Sequence, residues 1–393
     1  MKTVMIVAGE SSGELYGSLL AREVKSIWPD VRLVGIGGEK MRTAGVELLS
    51  GITSSLGLTE VFLSIMKVRA SFSKAVKALA EISPDVIVLI DYPDFNFRLA
   101  RVAKKRGLKV LYYVSPQVWA WRQGRVKTMR ELVDKVAVLL PFEENIYGAA
   151  GIPCEFVGHP IMEEIEEYEN SNPQVRLPKF NCQSLQFEVQ PPVRARAYAP
   201  LIALLPGSRP NELKTLLPVF IDFVKVLKQE VPVARFVVPL APNIELEKFS
   251  EHLKMLEGEG VELRSGGSTG VLASADVAVI ASGTATLQAA LIGIPMVVVY
   301  KLSPLTYFIG KTVLKVTRIS LVNIISGTDV VRELIQQEAN AENIMKECVK
   351  ILYDETFRAS MLSSFGALRK IFSRMKPSTR VAEIVGEMAG WSR

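Results

Sequence analysis

DVAVIASGTATLQAALIGIPMVVVYK, residues 276–301, joins two apolar runs through a Ser-Gly-Thr turn and a short helical pattern. No charged side chain lies between Asp276 and Lys301, and an apolar window of about 20 residues is long enough to cross a bilayer. Polar residues, glycines and a proline interrupt this window, so it is not typical of a membrane span. The pattern instead predicts a buried strand, a helix and a second buried strand, as in a parallel sheet covered by helices on both faces.

The turn in this stretch falls where the predicted helix begins, at Ser282, Gly283 and Thr284. Backbone N–H groups are free at a helix N-terminus and the helix dipole is positive there, so an anion such as phosphate is favoured. A capped helix without any ligand gives the same pattern, and this alternative stays open.

A second turn of this kind follows the apolar run at residues 201–205 and contains Gly207, Ser208 and Arg209. Glycine lets the backbone approach a ligand closely, and arginine can bind a phosphate through two hydrogen bonds. The alternative is a surface arginine near a helix start. Two such turns in one half of the chain favour a diphosphate ligand, and neither has the GxxxxGK pattern of triphosphate hydrolases.

The composition is that of a globular protein with two domains. The chain has 393 residues, 49% of them apolar, with 47 basic and 41 acidic side chains, and a domain has roughly 150 residues. Three cysteines are too few for a disulfide framework or a metal cage. The N-terminal sequence lacks the pattern of a cleavable signal. We therefore expect a cytoplasmic protein that holds no metal.

Apolar strand patterns alternate with helical patterns in both halves of the chain, which predicts an α/β fold with two doubly wound parallel sheets. We assign residues 1–165 to an N-terminal domain and residues 201–365 to a C-terminal domain. The periodicity fails from residue 161 onward, so residues 166–200 are expected to form an irregular connection. Helical patterns fill residues 366–393.

Acidic side chains follow predicted strands of the first domain, where parallel sheets bind their ligands. Glu10 follows the first strand, and Asp91 and Asp94 follow the buried run DVIVLI. Partial burial would raise the pKa of the Asp91 carboxyl and suit it to general-base work. Asp94 is expected to cap the next helix.

The sequence contains two histidines, and neither has the spacing of a zinc site or a catalytic triad. His252 lies in a charged helical pattern and is expected to face solvent. His159 lies next to the domain connection. It either faces a ligand cleft or has a structural role.

A window without acidic residues lies between Glu60 and Glu81. Basic and large apolar side chains alternate in it, as in a helix that lies on an anionic bilayer surface. The expected membrane contacts are Phe62, Leu63, Met66, Lys67, Arg69 and Phe72. A core helix with solvated lysines is the alternative, and the large apolar residues disfavour nucleic acid as the partner.

Several segments together resemble those of the lipid-A-disaccharide synthase family. They are GESSG at 9–13, DYPDFN at 91–96, YVSPQVWAWR at 113–122, LLPFE at 139–143 and VGH at 157–159, followed by the stretches at 204–209 and 281–300. The resemblance spans nearly the whole chain. It implies a GT-B architecture, in which two Rossmann-like domains face a cleft and the C-terminal helices of residues 366–393 pack back on the first domain or on a partner subunit.

The resemblance also implies an inverting glycosyl transfer without a cofactor. UDP-2,3-diacylglucosamine would donate its sugar to the 6-hydroxyl of 2,3-diacylglucosamine 1-phosphate, giving the β-1,6-linked lipid A disaccharide 1-phosphate and UDP. The first domain would take the acceptor and contact the membrane, and the second would bind the donor. Such an enzyme works peripherally on the cytoplasmic face of the inner membrane of a Gram-negative bacterium, as a monomer or homodimer.

Functional residues carry over from the family onto matching positions. The implied catalytic residues are Glu10, Asp91, Arg209 and Asn323. The implied substrate-binding residues are Gly207, Ser208, Arg209, Ser282, Gly283, Thr284, Gln288 and His159.

Three positions depart from the family pattern. Gln288 replaces the usual glutamate at the position where GT-B enzymes hold the ribose diol, which is expected to weaken UDP binding by roughly 1–2 kcal/mol. Glu14 replaces an aspartate, and Thr328 replaces a basic residue. Two alternatives remain open: a UDP-sugar epimerase of the same fold, and a noncatalytic protein that binds UDP-sugar or lipid.

Overall fold

The computed structural model describes residues 1–51, 58–116, 118, 124–175, 178, 180–181, 186–187, 199–240, 246–302 and 318–392. Much of the YVSPQVWAWR segment therefore lies outside the described residues. The chain divides into two compact units. Unit 1 comprises Met1–Pro160 and Met375–Arg393, and unit 2 comprises Ile161–Arg374.

Unit 1 is a parallel sheet with helices between its strands. The strands are β1 Thr3–Ala8, β2 Arg32–Ile36, β3 Glu47–Ser50, β4 Val86–Ile90, β5 Lys109–Tyr113, β6 Lys135–Val138 and β7 Cys154–Phe156. The helices are α1 Ser11–Ile27, α2 Glu39–Thr43, α3 Leu58–Ile82, α4 Pro93–Lys105, α5 Arg125–Leu132 and α6 Glu143–Ala149, with a last helix after unit 2. The sheet order is β3-β2-β1-β4-β5-β6-β7.

Unit 2 begins with helix α7 Ile161–Ser171 and repeats this architecture. Its main strands are β10 Leu201–Leu205, β11 Arg235–Leu240, β12 Val261–Ser265, β13 Val277–Ala281, β14 Met296–Tyr300 and β15 Arg332–Ile335; β8 Phe180–Asn181 and β9 Gln186–Phe187 form a small antiparallel pair. The helices are α8 Pro210–Glu230, α9 Ser250–Gly258, α10 Ser268–Ser274, α11 Thr284–Ile292, α12 Leu321–Ser326, α13 Ala341–Tyr353 and α14 Glu355–Phe372. Two 3-10 turns are Leu246–Phe249 and Gln336–Glu338.

The two large sheets have the same strand order. In unit 2 the order is β12-β11-β10-β13-β14-β15, and every pair is parallel. The order reverses between β1 and β4 in unit 1 and between β10 and β13 in unit 2, and ligands of open α/β sheets bind at such reversal points. The predicted fold class, α/β with two doubly wound sheets, is confirmed.

The stretch at residues 276–301 folds as predicted, into β13, α11 and β14. All five β13 residues are buried, and α11 is buried from Thr286 to its last residue, Ile292. This helix is therefore buried on all sides over these residues, which explains why its sequence lacks charge. The absence of charge reflects the interior of a domain.

Helix α7 corrects the expectation of irregular chain from residue 161 onward. Ile161, Met162 and Ile165 are buried on one face of this helix, while the glutamates between and after them lie on its more open side. The amphipathic pattern of this helix is short, because only its first turns carry buried apolar residues. It is therefore difficult to recognise within an acidic sequence. The unit boundary falls at residue 160, not 165, and part of the expected connection is helical.

The C-terminal helices belong to different units, which corrects their expected common packing. Helix α14 lies in unit 2, whereas α15 Pro377–Ala389 packs in unit 1 against α1. Gly386 lies so close to Trp28 that a Cβ atom would be 2.3 Å from the indole ring. The Trp28 and Trp391 rings meet edge to face at 5.2 Å.

Candidate functional site

The reversal point of the unit 1 sheet carries Glu10 and Asp91. Ala8 at the end of β1 pairs with Ile90 at the end of β4, so both acidic residues follow directly on neighbouring strands. Glu10 is exposed at the start of α1. Gly9 admits the ring of Tyr92, because a Cβ atom there would be 2.3 Å from it. The expected juxtaposition of the two strand ends is therefore present.

Asp91 and Tyr92 both have left-handed backbone conformations, with φ of 46° and 45°. Residues with a Cβ atom rarely adopt this region, and such strain clusters at functional sites. Buried partners hold the Asp91 carbonyl oxygen, which accepts from Asn96 Nδ2 at 2.6 Å and from Tyr112 Oη at 2.7 Å. Neither partner of the Asp91 carbonyl was predicted from the sequence. Of the two, only Asn96, five residues after Asp91, lies close to it along the chain.

Asp94 does not cap the following helix, contrary to expectation. Tyr92 occupies the N-cap position and Asp94 lies in the first turn of α4. The Asp94 carboxylate is exposed and accepts from Arg125 Nη2 at 2.7 Å. The two aspartates of the DYPDFN segment therefore lie in different surroundings.

His159 is buried, with 3% of its surface exposed. Its ring meets Tyr16 edge to face at 5.8 Å. Burial lowers the pKa of the imidazole to about 3, because removal from water disfavours the charged form. His159 is therefore neutral at physiological pH and supplies no positive charge for a phosphate.

The reversal point of the unit 2 sheet carries both predicted anion-binding turns. Leu205 of β10 pairs with Ile280 of β13, so the turns at 207–209 and 282–284 follow neighbouring strand ends. Gly207 has a φ of 98°, and a Cβ atom there would be 2.1 Å from the Glu212 carboxylate. This contact requires glycine.

Glu212 occupies the backbone donors of the first turn. Its Oε2 accepts from Ser208 N at 3.1 Å and from Arg209 N at 3.2 Å, which is one half of a capping box. These two N–H groups therefore already have an acceptor, whereas the sequence pattern suggested that they were available to a ligand. The Arg209 side chain is 69% exposed and lies 3.7 Å from Glu212, so it is the part of this turn that can reach an anion.

The second turn is more open. Gly283 and Thr284 are exposed at the start of α11, and a Cβ atom at Gly283 would meet no atom within 4 Å. The Ser282 hydroxyl donates to the Ile319 carbonyl at 2.8 Å. Backbone N–H groups at this helix start remain suited to a phosphate.

Gln288, which is expected to contact a ribose, is buried, and its side-chain amide is engaged with other protein side chains. Its Oε1 accepts from Ser268 Oγ at 2.6 Å, and its Nε2 donates to Thr269 Oγ1 at 2.9 Å and to Glu164 Oε1 at 3.2 Å. The side chain is 4% exposed. Gln288 therefore belongs to a hydrogen-bonded group of four residues, with Glu164, Ser268 and Thr269.

Asn323 is also buried, and its side-chain amide is engaged with the protein. Its Nδ2 donates to the Val331 carbonyl and to Glu333, and its Oδ1 accepts from Val331 N at 3.0 Å. The residue is 1% exposed. Asn323 therefore anchors the chain before β15, and its catalytic role stays a prediction.

Helix α3 presents part of the predicted membrane face. Met66, Lys67 and Arg69 are exposed, whereas Phe72 points inward and meets Phe95 edge to face at 5.5 Å. Phe72 therefore packs against the core of unit 1, which disfavours its predicted contact with a membrane. The side chains of Phe62 and Leu63 lie outside the described residues. In the parts of the chain that are described, no helix has the length and apolar character needed to cross a bilayer.

Comparisons with known proteins agree on one family. The family profile described as lipid-A-disaccharide synthetase matches residues 4–371. A lipid-A-disaccharide synthase from Nitrosococcus oceani is 43% identical over 372 residues, covering 93% of this chain and 91% of its own. Another from Syntrophus aciditrophicus is 40% identical over 370 residues, covering 94% and 93%.

A solved structure supports the fold alone. The S. aureus MnaA–UDP co-structure is 11% identical to this chain and has a TM-score of 0.67, covering 100% of this chain and 98% of the other. The two doubly wound sheets are thus found in a distant protein, while the sequence matches span nearly the full length. On these matches, the chain belongs to the lipid-A-disaccharide synthase family of glycosyltransferases.

Proposed function

We propose that this chain transfers the sugar of UDP-2,3-diacylglucosamine to the 6-hydroxyl of 2,3-diacylglucosamine 1-phosphate. Family membership supports lipid A disaccharide synthesis. The observation that carries the assignment of residues is the placement of acidic groups at one sheet reversal point and anion-binding groups at the other. Unit 1 would bind the acceptor and unit 2 the nucleotide donor.

In this proposal Asp91 is the general base. Its carboxylate removes the proton of the acceptor 6-hydroxyl while the oxygen attacks C1 of the donor sugar from the face opposite the diphosphate. The bond between C1 and the diphosphate oxygen breaks, the configuration inverts, and UDP leaves. Glu10, on the neighbouring strand end, would bind the acceptor sugar through its hydroxyl groups.

The departing diphosphate needs positive charge and N–H donors. The exposed guanidinium of Arg209 supplies charge, and the open start of α11 at Gly283 and Thr284 supplies backbone donors. Asn323 and Gln288 would act from behind this site, by holding the chain that forms it.

We further propose that α3 brings the enzyme to the inner-membrane surface, where its acylated substrates lie. The exposed basic residues Lys67, Arg69 and Lys74 would attract anionic lipid headgroups. Peripheral association on the cytoplasmic face fits such a surface, and a homodimer stays a prediction.

A transfer assay with radiolabelled UDP-2,3-diacylglucosamine tests this function. The wild-type chain should form disaccharide 1-phosphate and UDP. Asp91→Asn should lower kcat by about 10²–10⁴-fold and leave UDP affinity unchanged, because the base acts on the acceptor.

Asp94→Asn is the matched control, since it removes a carboxylate from the same segment and should retain activity within severalfold. Full turnover of Asp91→Asn would exclude Asp91 as the base. A sugar isomer as product would indicate an epimerase, and UDP-sugar binding without any product would indicate a noncatalytic protein.

A further inference from the structure

A closed hydrogen-bonded cluster lies behind the donor turns of unit 2 and contains Glu164, Ser268, Thr269 and Gln288. Ser268 and Thr269 begin α10, directly beyond the carboxyl end of β12, and Gln288 lies in the second turn of α11, beyond β13. Glu164 reaches them from α7. The cluster therefore lies along the sheet edge at which α/β proteins bind ligands.

Only one oxygen of the Glu164 carboxylate is used within the cluster. Oε1 accepts from Thr269 Oγ1 at 2.7 Å and from Gln288 Nε2 at 3.2 Å. Across the described parts of the chain, Oε2 of Glu164 forms no hydrogen bond. A half-buried carboxylate with one anchored oxygen and one open oxygen is preorganised to accept further hydrogen bonds.

Gln288 fixes the position of this carboxylate. A carboxylate only accepts hydrogen bonds, so the atom of residue 288 that faces Glu164 must be the amide nitrogen. A glutamate at position 288 would instead place two carboxylates about 3 Å apart, and such a pair cannot be fully ionised. Gln288 and Glu164 are therefore chemically matched: one carboxylate and one amide.

The far end of α7 holds Glu164 in place. Glu169 lies 3.8 Å from Arg369 Nη2, and Arg369 Nη1 donates to the Leu291 carbonyl at 2.6 Å. Helix α7 is thus linked to the second turn of α11 through Gln288 and to the end of α11 through Arg369. The Glu164 side chain leaves a helix that is fixed at two points relative to the α11 start.

We infer that Glu164 supplies the carboxylate that binds the ribose hydroxyls of the donor nucleotide, with Gln288 as its neutral positioning partner. This inference rests on the proposed binding of a UDP-sugar by unit 2. A carboxylate that accepts from ribose hydroxyls is a general feature of nucleotide sites in doubly wound folds. In this chain that charge comes from α7, because all the polar atoms of Gln288 are engaged within the cluster.

Calorimetric titration of the full-length chain with UDP and with 2′,3′-dideoxy-UDP tests the inference. The wild type should bind UDP at least about tenfold more tightly than the analogue, since hydrogen bonds to a charged group are lost. Glu164→Gln should weaken UDP binding by about tenfold and leave the affinity for the analogue within about twofold. Glu167→Gln, on the same helix, should leave the ratio of the two affinities unchanged.

A double variant in which the carboxylate and the amide exchange positions is the decisive test. Gln288→Glu alone should weaken UDP binding, because its new carboxylate faces Glu164. The double variant Glu164→Gln/Gln288→Glu restores one carboxylate and one amide, and it should recover at least half of the lost discrimination on a logarithmic scale.

Two outcomes would overturn the inference. In the first, Glu164→Gln leaves both affinities at their wild-type values; in the second, it weakens both ligands equally, as a purely structural substitution would. Thermal unfolding of each variant shows whether the fold is retained. A wild-type chain that binds neither ligand would contradict the proposed donor site itself, which is a different result from normal UDP binding with an unchanged ratio.

Discussion

Asp91 lies at the carboxyl end of β4 and has a strained backbone conformation. Its left-handed conformation and that of Tyr92 together store roughly 2–4 kcal/mol, and the hydrogen bonds from Asn96 and Tyr112 to the Asp91 carbonyl offset part of it. These bonds fix the backbone from which the Asp91 carboxylate extends. Tyr112 is fully buried, and burial raises the pKa of its phenol well above the ordinary value, so it stays a hydrogen-bond donor.

Because of His159, the free energy of unfolding of unit 1 should depend on pH. Its pKa is about 3 in the folded protein and about 6.5 in an unfolded chain. Between these values the unfolded state binds the proton and the folded state does not, so the free energy of unfolding should fall by about 1.4 kcal/mol per pH unit below pH 6.5. Urea unfolding at pH 7, 6 and 5 measures this slope.

The control for this prediction is His159→Asn, which cannot be protonated. The described tryptophans, Trp28 and Trp391, both belong to unit 1, so their fluorescence follows this unit. The stability lost between pH 6.5 and pH 5 should be smaller in the variant than in the wild type. Equal losses in both proteins would show that His159 is not the titrating group.

The sequence placed single residues at the correct strand ends but not their partners. Asp91 and Arg209 follow apolar runs that are easy to read. The hydrogen bonds that occupy Gln288 and Asn323 come from residues 8 to 124 positions away, and a pattern read along the chain contains no such information. A polar residue that is buried and satisfied looks the same in sequence as one that meets a ligand.

Helix α3 shows which residues of an amphipathic sequence pattern are exposed. Its sequence alternates large apolar and basic residues, and Phe62, Met66 and Phe72 looked alike in it. The structure separates Met66, which is 55% exposed, from Phe72, which packs against the core. Met66 and Phe72 point about 120° away from each other around the helix, and in α3 the direction of Phe72 is the packed one.

The basic side of α3 can be tested on liposomes. Replacing Lys67, Arg69 and Lys74 by glutamine should lower binding to vesicles with anionic lipid by about 100-fold, because each basic residue contributes about 1 kcal/mol near such a surface. Cosedimentation measures the bound fraction. Binding of the wild type should also fall steeply as salt increases.

A matched control replaces the exposed Lys214, Lys225 and Lys254 of unit 2 by glutamine. This variant has the same net charge as the first one and should sediment with vesicles like the wild type. If both triple variants lose binding equally, then net charge is responsible and α3 has no special role.

The whole molecule consists of two units with one topology, and the alternation of apolar strands and helices predicted both. What the alternation could not predict is that residues 375–393 belong to the first unit while α14, just before them, belongs to the second. Both helices are amphipathic. Their partners are set by shape, because Gly386 admits the indole of Trp28, and shape is not visible in a hydrophobic pattern.

Gly386→Ala tests this contact. A Cβ atom would lie 2.3 Å from Trp28, so unit 1 should lose about 1–3 kcal/mol in its free energy of unfolding, measured by tryptophan fluorescence in urea. Gly148→Ala is the control, since it lies in helix α6 of unit 1 with no atom within 4 Å of its Cβ position. It should be neutral or stabilising; a Gly386→Ala protein as stable as this control would mean that the helix docks elsewhere.

The return of the chain to unit 1 has a consequence for synthesis on the ribosome. The 214 residues of Ile161–Arg374 are translated between the two parts of unit 1, which takes roughly 10–40 s at bacterial elongation rates. During that time Trp28 and the neighbouring face of α1 lack the helix that covers them. The nascent first unit therefore presents an apolar surface that chaperones can recognise until residues 375–393 have been synthesised.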